Sequence, residues 1–120
     1  MVLMSDSKVP KEGEILNGQL WFSRRGNILT LGLTSAGIET LGDLNSIELP
    51  EDGDHFDSGD TVFTVEGNQG SIEFATPSKG VIVEANPSGS NIDIVQEDPL
   101  EEGWFVKIQM DDLESFMDLV

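Results

Sequence analysis

Two Gly-Asp pairs six residues apart, Gly53-Asp54 and Gly59-Asp60, do most to limit what this chain can fold into. Glycine reaches positive φ at little steric cost, and aspartate bonds nearby backbone, so each pair reads as a tight turn. Turns this close together leave room only for very short strands. The same punctuation recurs along the chain. "SIEFATP" stops at Pro77, Gly80 opens "KGVIVEAN", and "GNQG" (residues 67–70) separates "TVFTVE" from "SIEF". Upstream, "GQLWFS" and "NILTLGL" flank "RRG", and "LNSIELP" ends at Pro50. Many short strands with regular turn signals predict a compact barrel or sandwich rather than a helical bundle.

The helical signals are few and short. In "TSAGIETLG", Thr34 or Ser35 can cap a helix, Ile38 and Leu41 share a face, and Gly42 can close it in the left-handed conformation. In "DDLESFMDLV", Asp111 or Asp112 can cap. Leu113, Phe116, Met117 and Val120 then form a stripe that reads as core packing. "WFVKIQM" alternates and predicts a half-buried strand. "NIDIVQEDP" fits a short helix or a strand, and its pattern does not choose between them. Residues 1–13 are polar, with Pro10 and Gly13, and read as a mobile N-terminal arm. Residues 14–120 then form one domain with no internal linker.

Charge narrows the partners. The 23 acidic and 6 basic residues leave a net charge of −17, which repels nucleic-acid phosphates and anionic membrane surfaces. It suits docking on basic protein surfaces, and it equally suits simple solvation of the exterior. With no cysteine, disulfides, thiolate zinc sites and cysteine nucleophiles are excluded. No apolar run reaches the roughly 18 residues of a membrane helix, and the start lacks a secretory pattern. The expectation is a cytoplasmic protein.

The usual catalytic constellations are missing from the sequence. A Ser-His-Asp triad would need His55, which stands in an acidic Gly-rich turn with no nucleophile elbow in the chain. Asp52, Asp54, His55, Asp57 and Asp60 are crowded in sequence, yet they fail the calcium-loop spacing: position 5 from Asp52 is Phe56 and position 12 is Phe63. Turn chemistry explains them better than a metal. "GNQG" fits the text of a phosphate-clamping loop, but its flanks are strand-like and Glu66 precedes it.

The order of motifs carries a resemblance. "GDHFDSGDTVFTVEGNQGSIEFATPSKGVIVEAN" resembles the lipoyl and biotinyl carrier domains. "LTLGLTSAGIETLGDLNSIELPEDGD", "VQEDPLEEGWFVKIQMDD" and Trp21 extend the likeness over residues 19–120, toward the glycine cleavage system H protein family. The resemblance implies a mainly β fold: a flattened barrel-sandwich hybrid of two small antiparallel sheets with short helices. It also implies a carrier-type or binding protein rather than an enzyme. Family members hold lipoate in amide linkage on a lysine at a hairpin tip. Their arm serves glycine decarboxylase, aminomethyltransferase and dihydrolipoyl dehydrogenase.

Here the ungapped comparison puts Gln69 where that lysine belongs. A carboxamide nitrogen is delocalised into its carbonyl and cannot serve as the acyl acceptor. The resemblance therefore implies no cofactor at Gln69. Two alternatives stay open: lipoate on Lys79, at the "PSKG" corner, or a ligand held noncovalently. Lys107 reads as surface charge on a strand, and Lys8 and Lys11 belong to the arm. Glu66, Asn68 and Glu73 join Gln69 as the residues expected to meet a partner from the glycine-cleavage or lipoate-transfer systems. For Asn68 and Gly70, plain turn geometry is the competing expectation.

Overall fold

In a computed structural model, the structure describes residues 13–120. The expected arm therefore lies almost wholly outside the described residues, with Lys8 and Lys11. Its last residue, Gly13, is the exception, because it opens the first strand.

Among the described residues, nine strands form two antiparallel sheets. The larger one orders β1 (Gly13–Ile15), β2 (Leu20–Arg25), β3 (Ile28–Leu33), β9 (Val106–Met110), β8 (Gly80–Ala85) and β5 (His55–Phe56) from edge to edge. The smaller one orders β4 (Leu44–Glu48), β6 (Thr61–Gly67) and β7 (Gly70–Ala75). Mainly β, with two antiparallel sheets and short helices, is the architecture that the resemblance implies, and it fits the many short strands expected from the turn pattern. Among the described residues, no helix is long and apolar enough to cross a membrane.

The two Gly-Asp pairs build two equivalent corners. Gly53 and Gly59 take φ of 87° and 93°. Asp54 Oδ2 accepts from the Glu51 N–H at 2.9 Å, and Asp60 Oδ2 accepts from the Asp57 N–H at 2.8 Å. Each corner is then tied to a later segment of the sheets, one within β8 and one just past β7. Gly53 donates to the Ile82 carbonyl and Gly59 to the Thr76 carbonyl, both at 2.7 Å. A six-residue repeat in sequence thus becomes a repeat in hydrogen bonding.

A chain of aromatic rings joins the sheets. Phe22 of β2 meets Phe116 edge-on at 5.0 Å, Phe116 meets Phe74 of β7 at 6.3 Å, and Phe74 stacks on Phe63 of β6 at 5.6 Å. Phe63 meets Phe105 at 5.1 Å, just before β9. All five rings are buried. Trp21 points away from this core, as the alternation of a strand requires. It lies against Gly32, which it pairs with across β2 and β3, and its indole N–H donates to the Pro99 carbonyl at 3.1 Å. The "EDP" segment therefore covers the back of the large sheet.

Among the described residues, three α-helices complete the fold: α1 (Ser35–Leu41), α2 (Ile92–Glu97) and α3 (Leu113–Met117). Thr34 caps α1 by accepting from the Gly37 N–H at 3.0 Å. The ambiguous "NIDIVQEDP" is helical. Asn91 Oδ1 accepts from the Ile94 N–H at 3.2 Å, and Val95 is buried. Gly42 differs from the expected left-handed closure: its φ is 75° but its ψ is −142°, so the chain leaves α1 extended toward β4. The terminal stripe is also only partly core. Phe116 is buried, Leu113 and Met117 are half-buried, and Val120 is 60% exposed. The helix ends at Met117, so helical spacing does not carry Val120 to the same face.

Candidate functional site

The β6–β7 hairpin turns through Asn68 and Gln69, between the paired Gly67 and Gly70. Neither Asn68 nor Gly70 takes positive φ. A need for positive φ therefore does not explain these two residues. A Cβ on Gly70 would stand in open space.

The tip is instead bound to the corner between α1 and β4. The Asn68 N–H donates to the Asp43 carbonyl at 2.9 Å, and Asn68 Oδ1 accepts from the Asp43 N–H at 3.0 Å. The Gln69 N–H donates to the Leu41 carbonyl at 2.9 Å. Two glycines allow this approach. A Cβ on Gly67 would collide with the Leu41 carbonyl oxygen. One on Gly42 would collide with Asn68 Oδ1 and crowd Gln69 Cγ and Cδ at 3.0 and 3.1 Å. The sequence reading missed the Leu41-Gly42-Asp43 half of this site. Its only signal is Gly42, which reads as the close of a helix.

Removing the Asn68 side-chain bond gives a direct check. Asn68→Ala is expected to cost about 1 kcal/mol, the usual net worth of one such hydrogen bond. Hydrogen exchange at the Asp43 amide should quicken in that variant. Unchanged protection at Asp43 would mean that the backbone bonds alone hold the tip.

Gln69, Asn68, Glu66 and Glu73 are all exposed. Glu66 lies opposite Ser71, and Thr64 lies opposite Glu73. Positions two apart share a face, so Glu66 and Glu73 stand on the outer face of the small sheet. Glu48, opposite Thr64 on β4, joins them. Ser46 Oγ donates to Glu66 Oε1 at 3.3 Å. The structure thus brings together four of the expected residues: Glu66, Asn68, Gln69 and Glu73.

Lys79 is not with them. β7 spans six residues, so the corner after it lies roughly 20 Å from the tip at about 3.3 Å per residue. The Lys79 side chain is exposed, and its carbonyl accepts from the Asp111 N–H at 2.9 Å. Lys107 reaches Glu84 at 3.5 Å and sits over the Trp104 ring at 5.1 Å. His55 is exposed on the two-residue edge strand β5. Among the described residues, no three His, Asp or Glu side chains converge to hold a metal.

A family model for the glycine cleavage H-protein matches residues 11–120. The chain belongs to that family. It is 33% identical over 109 residues to a glycine cleavage system H protein of Picosynechococcus, covering 90% of this chain and 83% of that one. It is 34% identical over 121 residues to the H protein of Staphylococcus haemolyticus, covering 100% and 91%. A crystal structure of the Mycobacterium marinum H protein superposes with a TM-score of 0.64 at 27% identity, over 78% of this chain and 79% of that one. The flattened two-sheet fold agrees with that neighbour. Proteins of this family are lipoyl carriers rather than enzymes and work with the glycine cleavage enzymes. The resemblance read from the motifs is thereby established at the level of the family.

Proposed function

We propose that this chain is a non-lipoylated member of the family, a module that binds glycine-cleavage or lipoate-handling enzymes without a covalent arm. One observation carries the reading: the exposed hairpin tip, where the motif comparison places the attachment lysine, presents Gln69. Lipoate attachment needs a primary amine as nucleophile, and the tip has none. The group does not fit there, so no transfer step is assigned to position 69. The remaining tip features, a rigid turn docked on α1 and an acidic sheet face beside it, suit recognition by a basic surface. Such a module would compete with lipoylated relatives for the same enzymes, as a decoy or a regulator.

The competing reading is a working carrier, with lipoate on Lys79 or a ligand held noncovalently. Exposure of Lys79 favours it; its distance from the hairpin tip opposes it. Intact mass after co-expression with a lipoate ligase separates the two. The binding module keeps its unmodified mass, whereas an added lipoyl group on the native chain overturns the proposal.

Salt tests the docking. The screening length falls from about 30 Å at 0.01 M to about 8 Å at 0.15 M ionic strength. Association with a basic enzyme partner should slow by about tenfold or more over that range. An on-rate indifferent to salt would reject charge as the guide.

A further inference from the structure

The far end of β4 from the tip opens into a cleft of about 590 Å³, between the chain after β4 and the 3₁₀ turn Pro87–Ser90. That volume lies within the range of about 300–1,000 Å³ in which proteins hold small ligands or side chains of a partner. Its floor is apolar: Ile47, Leu49 and Ala85 are half-buried residues at the outer margin of the core. Its rim is acidic, with Glu48, Glu51 and Asp52, all exposed. Among the described residues, no lysine or arginine lines it. The cleft keeps its shape through bonds made elsewhere. Asp52 Oδ1 accepts from the Ala85 N–H at 2.7 Å, which ties one wall to the other. Asn86 donates to the Glu102 and Trp104 carbonyls at 2.7 and 2.8 Å, which anchors the wall at Pro87.

We propose that this cleft docks a cationic, apolar peptide segment of a partner protein, its aliphatic side chains on the Ile47–Leu49–Ala85 floor and its ammonium or guanidinium groups among Glu48, Glu51 and Asp52. Two features of different kinds support that occupant. Half-buried apolar surface in a concavity favours burial of aliphatic groups. Three carboxylates, with no cation between them among the described residues, favour positive charge at the rim. Lysine and arginine, with long aliphatic stems under charged heads, satisfy both at once. An anionic ligand fails at the rim, and a purely polar one fails at the floor. Glu48 also belongs to the acidic outer face that carries Glu66 and Glu73, so one basic partner surface can cover the tip and reach the cleft. The inference does not depend on the chemistry at position 69.

The test uses the full chain and an amidated five-residue peptide alternating lysine with leucine. Titration should shift the amide resonances of Leu49, Asp52, Ala85 and Ser90 and leave those of Asn68 and Gln69 in place. Glu51→Lys should weaken binding about tenfold, whereas Glu114→Lys, the same charge change on α3, should alter it less than about twofold, because pairing at the rim is local and distant charges are screened. A peptide alternating lysine with serine should bind far more weakly. Equal loss in the two variants, equal binding of the two peptides, or shifts spread over the whole surface would overturn the proposal, since each reports attraction to net charge alone. Shifts of the same resonances on dilution of the free protein would also overturn it, by assigning the cleft to a second copy of the chain.

Discussion

Gln69→Lys, co-expressed with a lipoate ligase, is expected to gain one lipoyl group, while the native chain gains none. The argument rests on how little the substitution changes besides the nitrogen. The tip backbone is held by the Gln69 N–H to Leu41 and by the Asn68–Asp43 bonds, and none of these uses the Gln69 side chain. Lysine has methylene carbons at Cγ and Cδ, where Gln69 places a methylene and its carboxamide carbon beside Gly42, so its stem can follow the same path. What it adds is an amine with a free lone pair on deprotonation. Gln69→Arg, charged but not a nucleophile of this kind, should remain unmodified. Gln69→Lys combined with Lys79→Arg should still be modified, because the tip, not the corner, carries the new amine. An unmodified Gln69→Lys chain would show that the Gly-rich neighbours, and not only residue 69, have closed this hairpin to the ligase.

Trp21→Ala should be the most damaging single change to the fold. Truncating a fully buried tryptophan costs about 3–5 kcal/mol, against a total stability of about 5–15 kcal/mol for a typical domain. The loss has three parts. The apolar area is lost, a cavity opens over Gly32, and the Pro99 carbonyl loses its indole donor. Urea unfolding followed by circular dichroism measures the sum. Trp21→Phe keeps most of the packing and loses the donor, so it should cost less, about 1–3 kcal/mol. A loss below about 1 kcal/mol in Trp21→Ala would mean that the segment around Pro99 contributes little by covering the back of the large sheet.

Much of the fold is legible in the sequence because its turns are chemically explicit. The Gly53-Asp54 and Gly59-Asp60 corners follow from local rules: positive φ for the glycine and a carboxylate three residues from the amide that it binds. The strands from Leu20 to Leu33 and from Thr61 to Ala75 follow from punctuation and apolar content. The helix at Ile92–Glu97 was not legible, since six residues with three apolar positions satisfy either period. Its cap at Asn91 and the burial of Val95 decide it, and both depend on what the segment packs against. The terminal stripe was misread for the opposite reason. A regular pattern continued to Val120, while the helix that gave it meaning stopped at Met117.

The site divides in the same way. Residue types belong to the sequence: an amide instead of an amine at position 69, acids at 66 and 73, and a lysine at 79. These alone decide what bonds can form. The docking of the tip on Leu41-Gly42-Asp43 and the acidic rim around Ile47, Leu49 and Ala85 were decided only by the tertiary structure. Both depend on segments far apart in sequence meeting at contact distance. Which backbones approach that closely is set by the packing of the two sheets as a whole, and no local rule carries that information.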